Sequence, residues 1–139
     1  MTRTQTRQLA FELLYSLEIQ KVTKDELMEQ IKLFLEGQEE INGAVRQYII
    51  DVAQGIEKNE EEIQKLISQN LKEDWQLSRI SKINLAILKL AIYEMNYNKL
   101  PYKIAVNEAV ELAKKYGEDT SPGFVNGILA NIIKNLGLV

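Results

Sequence analysis

The chain has 139 residues, enough for one domain with a sizeable core, and 45% of them are hydrophobic. It contains no histidine and no cysteine, which removes the commonest general base, the commonest transition-metal ligand and any disulfide, so we expect neither an enzyme nor a metal or cofactor site. The net charge of −3 hides an acidic middle: residues 25–74 carry 5 basic and 13 acidic side chains, a net charge of −8 between two mildly basic ends.

Every strong periodic pattern along the chain is helical, so we predict an all-α fold. The first helix covers about residues 4–20, with leucines along one face. Thr23 and Glu26 form a capping-box pattern, which predicts that a second helix begins there. The apolar spacing over residues 39–70 predicts one long third helix, with Gly55 as the candidate position of a kink.

The segment 71–78 loses this periodicity and contains the only tryptophan, Trp75. We interpret the segment as the boundary between an N-terminal helical subdomain, residues 1–72, and a C-terminal helical subdomain, residues 73–139. Trp75 is expected to cover the junction between them rather than to serve as a binding platform.

A fourth helix is predicted over residues 79–97, and it is apolar on most sides, which is typical of a helix in the middle of a bundle. Its longest apolar run, residues 85–91, is interrupted by Lys89 and is much shorter than the roughly twenty residues of a membrane span. We therefore expect a cytoplasmic protein without a membrane segment. Glu94 lies within this apolar helix, and as a buried carboxylate it needs a hydrogen-bond or ion-pair partner.

Two further helices are predicted after the break at Pro101. The first ends before Gly117, where we predict a left-handed C-cap. Ser121 is then predicted to be the N-cap of the last helix, with Pro122 at its first position, where the missing N–H costs nothing.

The last helix carries two glycines four residues apart, Gly123 and Gly127, although glycine in a helix interior is unfavourable relative to alanine by roughly 0.5–1 kcal/mol. This spacing usually indicates close packing between helices, and we expect Gly127 to be a steric requirement of such packing. The alternative is that Gly123, Phe124 and Asn126 present a face that RNA or a partner approaches, with Asn126 either bonding a base edge or capping a neighbouring helix.

Arg3, Arg7, Phe11 and Tyr15 are spaced by four and form one stripe on the first helix. Arginine matches phosphate oxygens, and aromatic rings stack on unpaired bases, so the stripe would suit single-stranded RNA. The alternative is that the aromatic residues belong to the core and the arginines to an ordinary surface.

Several blocks of the chain closely resemble the NusB family of bacterial transcription antitermination factors. They are residues 101–114 (PYKIAVNEAVELAK), 116–117 (YG) and 124–129 (FVNGIL). Residues 87–94 look like the same family's central helix, and residues 7–15 are similar to its opening helix.

This resemblance implies an all-helical fold of two three-helix subdomains. It also implies an adaptor that binds the boxA element of nascent ribosomal RNA leaders together with NusE, a small-subunit ribosomal protein. The adaptor would join RNA polymerase with other Nus factors and suppress termination. Arg3 and Arg7 match the family's basic N-terminus, Tyr15 an aromatic of its RNA site, and residues 120–124 a second RNA-contacting region. The candidate RNA-binding residues are therefore Arg3, Arg7, Phe11, Tyr15, Thr120, Ser121, Gly123, Phe124 and Asn126.

Two alternatives remain open at this point. One is a helical protein-interaction module or homodimer that does not bind RNA directly. The other is a related module found at the N-terminus of a ribosomal-RNA cytosine methyltransferase, although the length of the chain leads us to expect the free-standing factor.

Overall fold

The computed structural model describes residues 1–72 and 76–137. Within this part of the chain it contains seven α-helices, two single 3-10 turns and no strand, which confirms the all-α prediction. The helices are α1 (Arg3–Gln20), α2 (Leu27–Glu36), α3 (Gly43–Lys58), α4 (Glu60–Gln69), α5 (Lys82–Asn96), α6 (Tyr102–Tyr116) and α7 (Ser121–Asn135).

The prediction of one long third helix was wrong, because α3 and α4 are separate helices that meet at Asn59. The backbone of Asn59 leaves helical geometry with φ −110° and ψ 20°, and its side-chain Nδ2 donates to the carbonyl of Gly55 at 2.7 Å. Gly55 itself stays helical, and its role is to leave space for a neighbouring side chain. A Cβ at that position would lie 2.3 Å from the Tyr93 ring, so the glycine allows α3 to approach α5 closely.

Helix α5 forms the centre of the fold, as its sequence predicted. Every residue from Leu85 to Met95 is buried, and the helix packs against α1, α3, α4, α6 and α7. A single hydrophobic core receives buried side chains from all seven described helices. The helical segments are therefore fixed to one common interior, which sets the position of each surface side chain.

Two charged side chains of α5 are buried, and both are paired inside the molecule. Glu94 accepts two hydrogen bonds from Arg7 of α1, from Nε at 2.8 Å and from Nη2 at 2.7 Å, so the expected partner of this carboxylate is an arginine. Lys89 bonds Glu18 at the end of α1 and Glu60 at the start of α4. Burial alone would lower the pKa of Lys89, but the hydrogen bonds that its ammonium donates to these two carboxylates raise the pKa above its ordinary value.

The turn between α6 and α7 differs from the prediction. Gly117 is extended (φ −91°, ψ −171°) rather than left-handed, and Ser121 is the first residue of α7, with Thr120 as the N-cap. The Ser121 hydroxyl accepts instead from the backbone N–H of Glu118 at 3.0 Å. A Cβ at position 117 would lie 2.5 Å from that hydroxyl oxygen and 2.8 Å from the carbonyl of Ala113, so glycine is required here for space.

The capping box at Thr23 and Glu26 is present, and it precedes α2 as predicted. The proposed boundary between subdomains and the role of Trp75 stay predictions, because residues 73–75 lie outside the described part of the chain. Of the helices in that part, none combines the length and apolar character that a membrane crossing requires.

Candidate nucleic-acid interface

The structure divides the predicted stripe on α1 into exposed and buried positions. Arg3 is exposed and Tyr15 half-buried, whereas Arg7 is 5% exposed and Phe11 is 2% exposed. The guanidinium of Arg7 is turned toward Glu94, and the Phe11 ring belongs to the core. Burial therefore removes Arg7 and Phe11 from the surface that RNA could reach, and Arg3 and Tyr15 remain.

A row of three side-chain hydrogen bonds joins α1 to α6, and we call this contact the α1–α6 seam. Positions 4, 8 and 12 share one face of α1 because they are spaced by one helical turn. Thr4 bonds Glu108 at 3.2 Å, Gln8 accepts from Lys115 at 3.0 Å, and Glu12 accepts from Tyr116 at 3.1 Å.

Aromatic rings fill the C-terminal end of the seam. The Phe11 ring lies 4.6 Å from Tyr116 and 6.0 Å from Tyr15, centroid to centroid, and it is nearly parallel to Tyr15 at 13°. The Lys115 ammonium lies 5.4 Å from the centroid of the Tyr116 ring. Partial burial and the neighbouring Glu12 carboxylate raise the pKa of Tyr116 to about 12. This end of the seam thus contains the Lys115 cation and the half-buried rings of Tyr15 and Tyr116.

The sequence did not single out Lys115 and Tyr116 as candidate binding residues. Their partners Gln8 and Glu12 are more than a hundred residues away along the chain, so no local pattern connects them. The family resemblance at residues 116–117 was the one signal near these positions.

The seam is not uniformly basic. Arg3 and Lys115 provide positive charge, but Glu12 and Glu108 lie on the same contact. An anionic ligand on this surface would therefore meet both signs of charge, and the net attraction is small.

The start of α7 follows the end of α6 across the turn at residues 117–120. Thr120, Gly123 and Asn126 are exposed, Phe124 is half-buried, and Ser121 is 3% exposed with its hydroxyl engaged by Glu118. Burial thus makes Ser121 a structural residue of the turn. Thr120, Gly123 and Asn126 stay exposed, whereas Phe124 packs partly against the core.

The structure contradicts the expectation that Gly127 is required for packing. A Cβ added at Gly123 or Gly127 would have no atom of the described residues within 4 Å, and both glycines are exposed. The alternative interpretation, in which this face is approached from outside, is the one that fits an open surface. A groove of about 330 Å³ runs along one side of these glycines, and a groove of about 460 Å³ lies between α6 and α7 on the other side.

No group of three or more histidine, cysteine, aspartate or glutamate side chains within residues 1–72 and 76–137 is arranged to hold a metal ion. The groups that this candidate interface offers to a ligand are cations, aromatic rings and side-chain amides.

Comparison with known proteins identifies the chain's relatives. The model of the NusB family matches residues 4–134. A transcription antitermination protein NusB from Acetivibrio thermocellus is 48% identical over 135 residues, which cover 96% of this chain and 90% of that protein. The NusB of Clostridium novyi is 44% identical, with coverage of 96% and 99%.

Solved structures of NusB proteins have the same fold as this chain. A structure of NusB from T. maritima is 32% identical and superposes with a TM-score of 0.84, covering 96% of this chain and 92% of the other. A crystal structure of the antitermination factors NusB and NusE in complex with double-stranded RNA contains a chain that is 25% identical, with a TM-score of 0.83 and coverage of 97% and 99%.

Proposed function

Because the chain belongs to the NusB family of transcription antitermination proteins, we propose that it is an adaptor that binds the boxA element of nascent ribosomal RNA leaders together with NusE. In this role it links the RNA to RNA polymerase and the other Nus factors. It acts in the cytoplasm, as a regulatory protein rather than as an enzyme. The similar structure of NusB with NusE and RNA supports this assignment of partners.

The observation that carries the proposal is the α1–α6 seam with the adjoining start of α7. Arg3 and Lys115 are cations that can contact phosphates, and the half-buried rings of Tyr15 and Tyr116 can stack on unpaired bases. Thr120, Gly123, Phe124 and Asn126, at the start of α7, are the further candidate contacts. Arg7 and Phe11 support it from beneath, because they hold α1 against α5 and α6.

The same surface explains why a partner is needed. Glu12 and Glu108 on the seam oppose a polyanion, and so does the net charge of −8 on residues 25–74. We expect the chain to bind RNA weakly by itself and more tightly with NusE. Two linked sites can raise apparent affinity by roughly 10²–10⁴ without new contacts at either one.

The test is a titration of single-stranded boxA RNA with the chain alone and with NusE, over a range of salt concentrations. Arg3→Ala and Lys115→Ala should each reduce the slope of log K against log salt by about 1, since each removes one phosphate contact. Lys65→Ala is the matched control, because Lys65 is an exposed lysine of α4 away from the seam and should leave the slope unchanged.

Equal RNA affinity with and without NusE would contradict the adaptor mechanism. RNA binding that is absent under both conditions would return the chain to the alternative of a helical interaction module or homodimer. Unchanged salt slopes for both variants would place the RNA on another surface.

A further inference from the structure

Two Asn-Gly pairs occur in the sequence, Asn42-Gly43 and Asn126-Gly127. In such a pair the backbone nitrogen of the glycine can attack the side-chain carbonyl carbon of the asparagine, because glycine has no Cβ to hinder the approach. The reaction needs an asparagine side chain that can turn toward the main chain and a glycine N–H that is free. The structure separates the two pairs on both requirements.

The second pair lies inside a helix. Gly127 is in the second turn of α7, where helix geometry directs its N–H at the carbonyl of Gly123, and the backbone of Asn126 is helical. The glycine nitrogen is therefore engaged, and it cannot reach the asparagine side chain unless α7 opens. This pair serves as a matched control for the first one.

The first pair lies at the start of a helix. Asn42 is the N-cap of α3, with an extended backbone (φ −74°, ψ 167°), and Gly43 is the first helical residue. The first N–H groups of a helix have no partner within it, and that of Gly43 has no acceptor within the described part of the chain. Both residues are exposed, and a Cβ at Gly43 would meet no atom of the described residues within 4 Å. The attacking nitrogen is thus free, and its surroundings are open.

The helix cap activates the carbon that would be attacked. The Asn42 side-chain oxygen Oδ1 accepts a hydrogen bond from the backbone N–H of Val45 at 2.8 Å. A donor on this oxygen withdraws electrons from the carbonyl carbon and stabilises the oxyanion that forms when a nucleophile adds to it. The positive end of the α3 dipole favours the same negative charge. The group that caps the helix therefore also has the surroundings of an oxyanion hole.

We propose that Asn42 is a site of spontaneous deamidation in the folded protein. The Gly43 nitrogen forms a bond to Cγ of Asn42 and loses its proton, the side-chain amide leaves as ammonia with that proton, and a succinimide ring remains. Water then opens the ring: addition at Cγ gives aspartate, and addition at the backbone carbonyl carbon gives isoaspartate. Water is the only co-reactant, and ammonia is the only by-product.

The two products have different effects on α3. Aspartate at position 42 still presents a carboxylate oxygen to the N–H of Val45, and it is as good an N-cap as asparagine. Isoaspartate adds a methylene group to the main chain, so its carboxylate is displaced from the cap and the N–H groups of the first turn lose their acceptor. Both products add a negative charge, and isoaspartate also loosens the start of α3.

The experiment incubates the purified full chain at mildly alkaline pH and follows both pairs by peptide mass spectrometry, with enzymatic detection of isoaspartate. In the native protein Asn42 should react at least about 10-fold faster than Asn126, because an opening free energy of about 1.4 kcal/mol in α7 already produces that ratio. In guanidinium chloride, where both pairs are unfolded, the two rates should become similar. The purified isoaspartate form should unfold a few degrees lower than the unmodified protein, whereas Asn42→Asp should not.

Two variants keep the fold and change the chemistry. Gly43→Ala adds a methyl group that meets no described atom but hinders the attack, so it should slow modification at Asn42 several-fold without lowering the Tm. Asn42→Ser keeps a capping oxygen and has no amide, so its mass at this position and its Tm should not change during the incubation.

Faster modification of Asn42 than of Asn126 in the native protein, together with its loss in Gly43→Ala, would establish the site. An intact Asn42 in native protein, while the denatured chain reacts, would overturn the proposal, because it would show that the hydrogen bond from Val45 holds the side chain away from Gly43. Equal native rates at the two pairs would also overturn it, since the fold would then not select between them. Neither result bears on the proposed function.

Discussion

Helices α5 and α7 both carry residue types that are unusual for their positions. In α5 the unusual residues are buried charges, and in α7 they are exposed glycines. The first places Lys89 and Glu94 in the interior, and the second places Gly123 and Gly127 on an exposed face. The charges of α5 are explained within the molecule, because each has a partner on another helix. The glycines of α7 have no such explanation among residues 1–72 and 76–137, since no atom of these residues comes near an added Cβ.

The two helices separate residues that serve stability from residues that serve function in a small helical protein. An unusual residue whose neighbours account for it belongs to stability. An unusual residue without an internal reason points to a molecule outside, because the loss of helix stability is otherwise uncompensated. Replacing a residue that has an internal role should therefore lower the stability of the fold. Replacing an exposed glycine by alanine should raise it.

The largest effect is expected at Arg7. Arg7→Ala leaves the Glu94 carboxylate buried and unpaired, and breaking such a pair typically costs about 3–5 kcal/mol. Urea unfolding measures the loss, and Arg3→Ala four residues earlier is the control, because Arg3 is exposed and its removal should change stability by less than about 0.5 kcal/mol. A loss below about 1 kcal/mol for Arg7→Ala would show that α1 is not fixed by this pair.

An intermediate effect is expected at Gly117. Its added methyl group would meet the carbonyl of Ala113 and the side chain of Ser121 at less than 3 Å, and neither can move without shifting the turn. Gly117→Ala should therefore lower the free energy of unfolding by about 1–3 kcal/mol, as forced packing does elsewhere. Unchanged stability in thermal or urea unfolding would mean that the turn relaxes freely.

Gly127→Ala should change stability with the opposite sign. The same substitution meets open space at this position, so the helix should gain roughly 0.5–1 kcal/mol from the better propensity of alanine. Urea unfolding of this variant and of Gly117→Ala compares a glycine that internal packing requires with one that it does not. A loss of stability here would reveal a packing role that the structure does not contain.

The smallest effect is expected at Tyr116, on the border between interior and surface. Tyr116→Phe removes the hydrogen bond to Glu12 and should cost about 0.5 kcal/mol at neutral pH, because the hydroxyl is partly exposed. Since the folded state raises the pKa of this hydroxyl to about 12 from an ordinary value near 10, its contribution is present below pH 10 and lost as the pH rises toward 12. The stability difference between wild type and variant, measured by urea unfolding at several pH values, should shrink or reverse over that interval. A difference that stays constant would contradict the contact with Glu12.

The sequence predicted the helices well because each is encoded by spacing within a few turns. The burial of α5 and the need of Glu94 for a partner follow from the same local pattern. The identity of that partner does not, because Arg7 lies 87 residues away and carries the same side chain as exposed Arg3. Arg3 and Arg7 occupy equivalent positions in the local pattern of α1. Only the packed structure shows that one is buried and the other exposed.

The glycines illustrate the same limit. Gly117 and Gly127 are ten residues apart, and both look like requirements of local geometry. Whether a glycine has neighbours depends on how α6 and α7 turn toward the rest of the fold, which residues 117–127 alone do not determine. The family resemblance indicates which segments of the chain form the candidate interface, and burial decides which side chains within those segments can be reached.

The long-range contacts of α1 also set the order in which the protein becomes complete during synthesis. Its partners Glu94, Glu108, Lys115 and Tyr116 follow it by 87 to 107 residues. At roughly 5–20 residues per second, the first helix is synthesised about 5–20 s before the last of these partners is added. Arg7 therefore starts as a solvated cation beside Arg3, and the two arginines become different only when the C-terminal helices arrive.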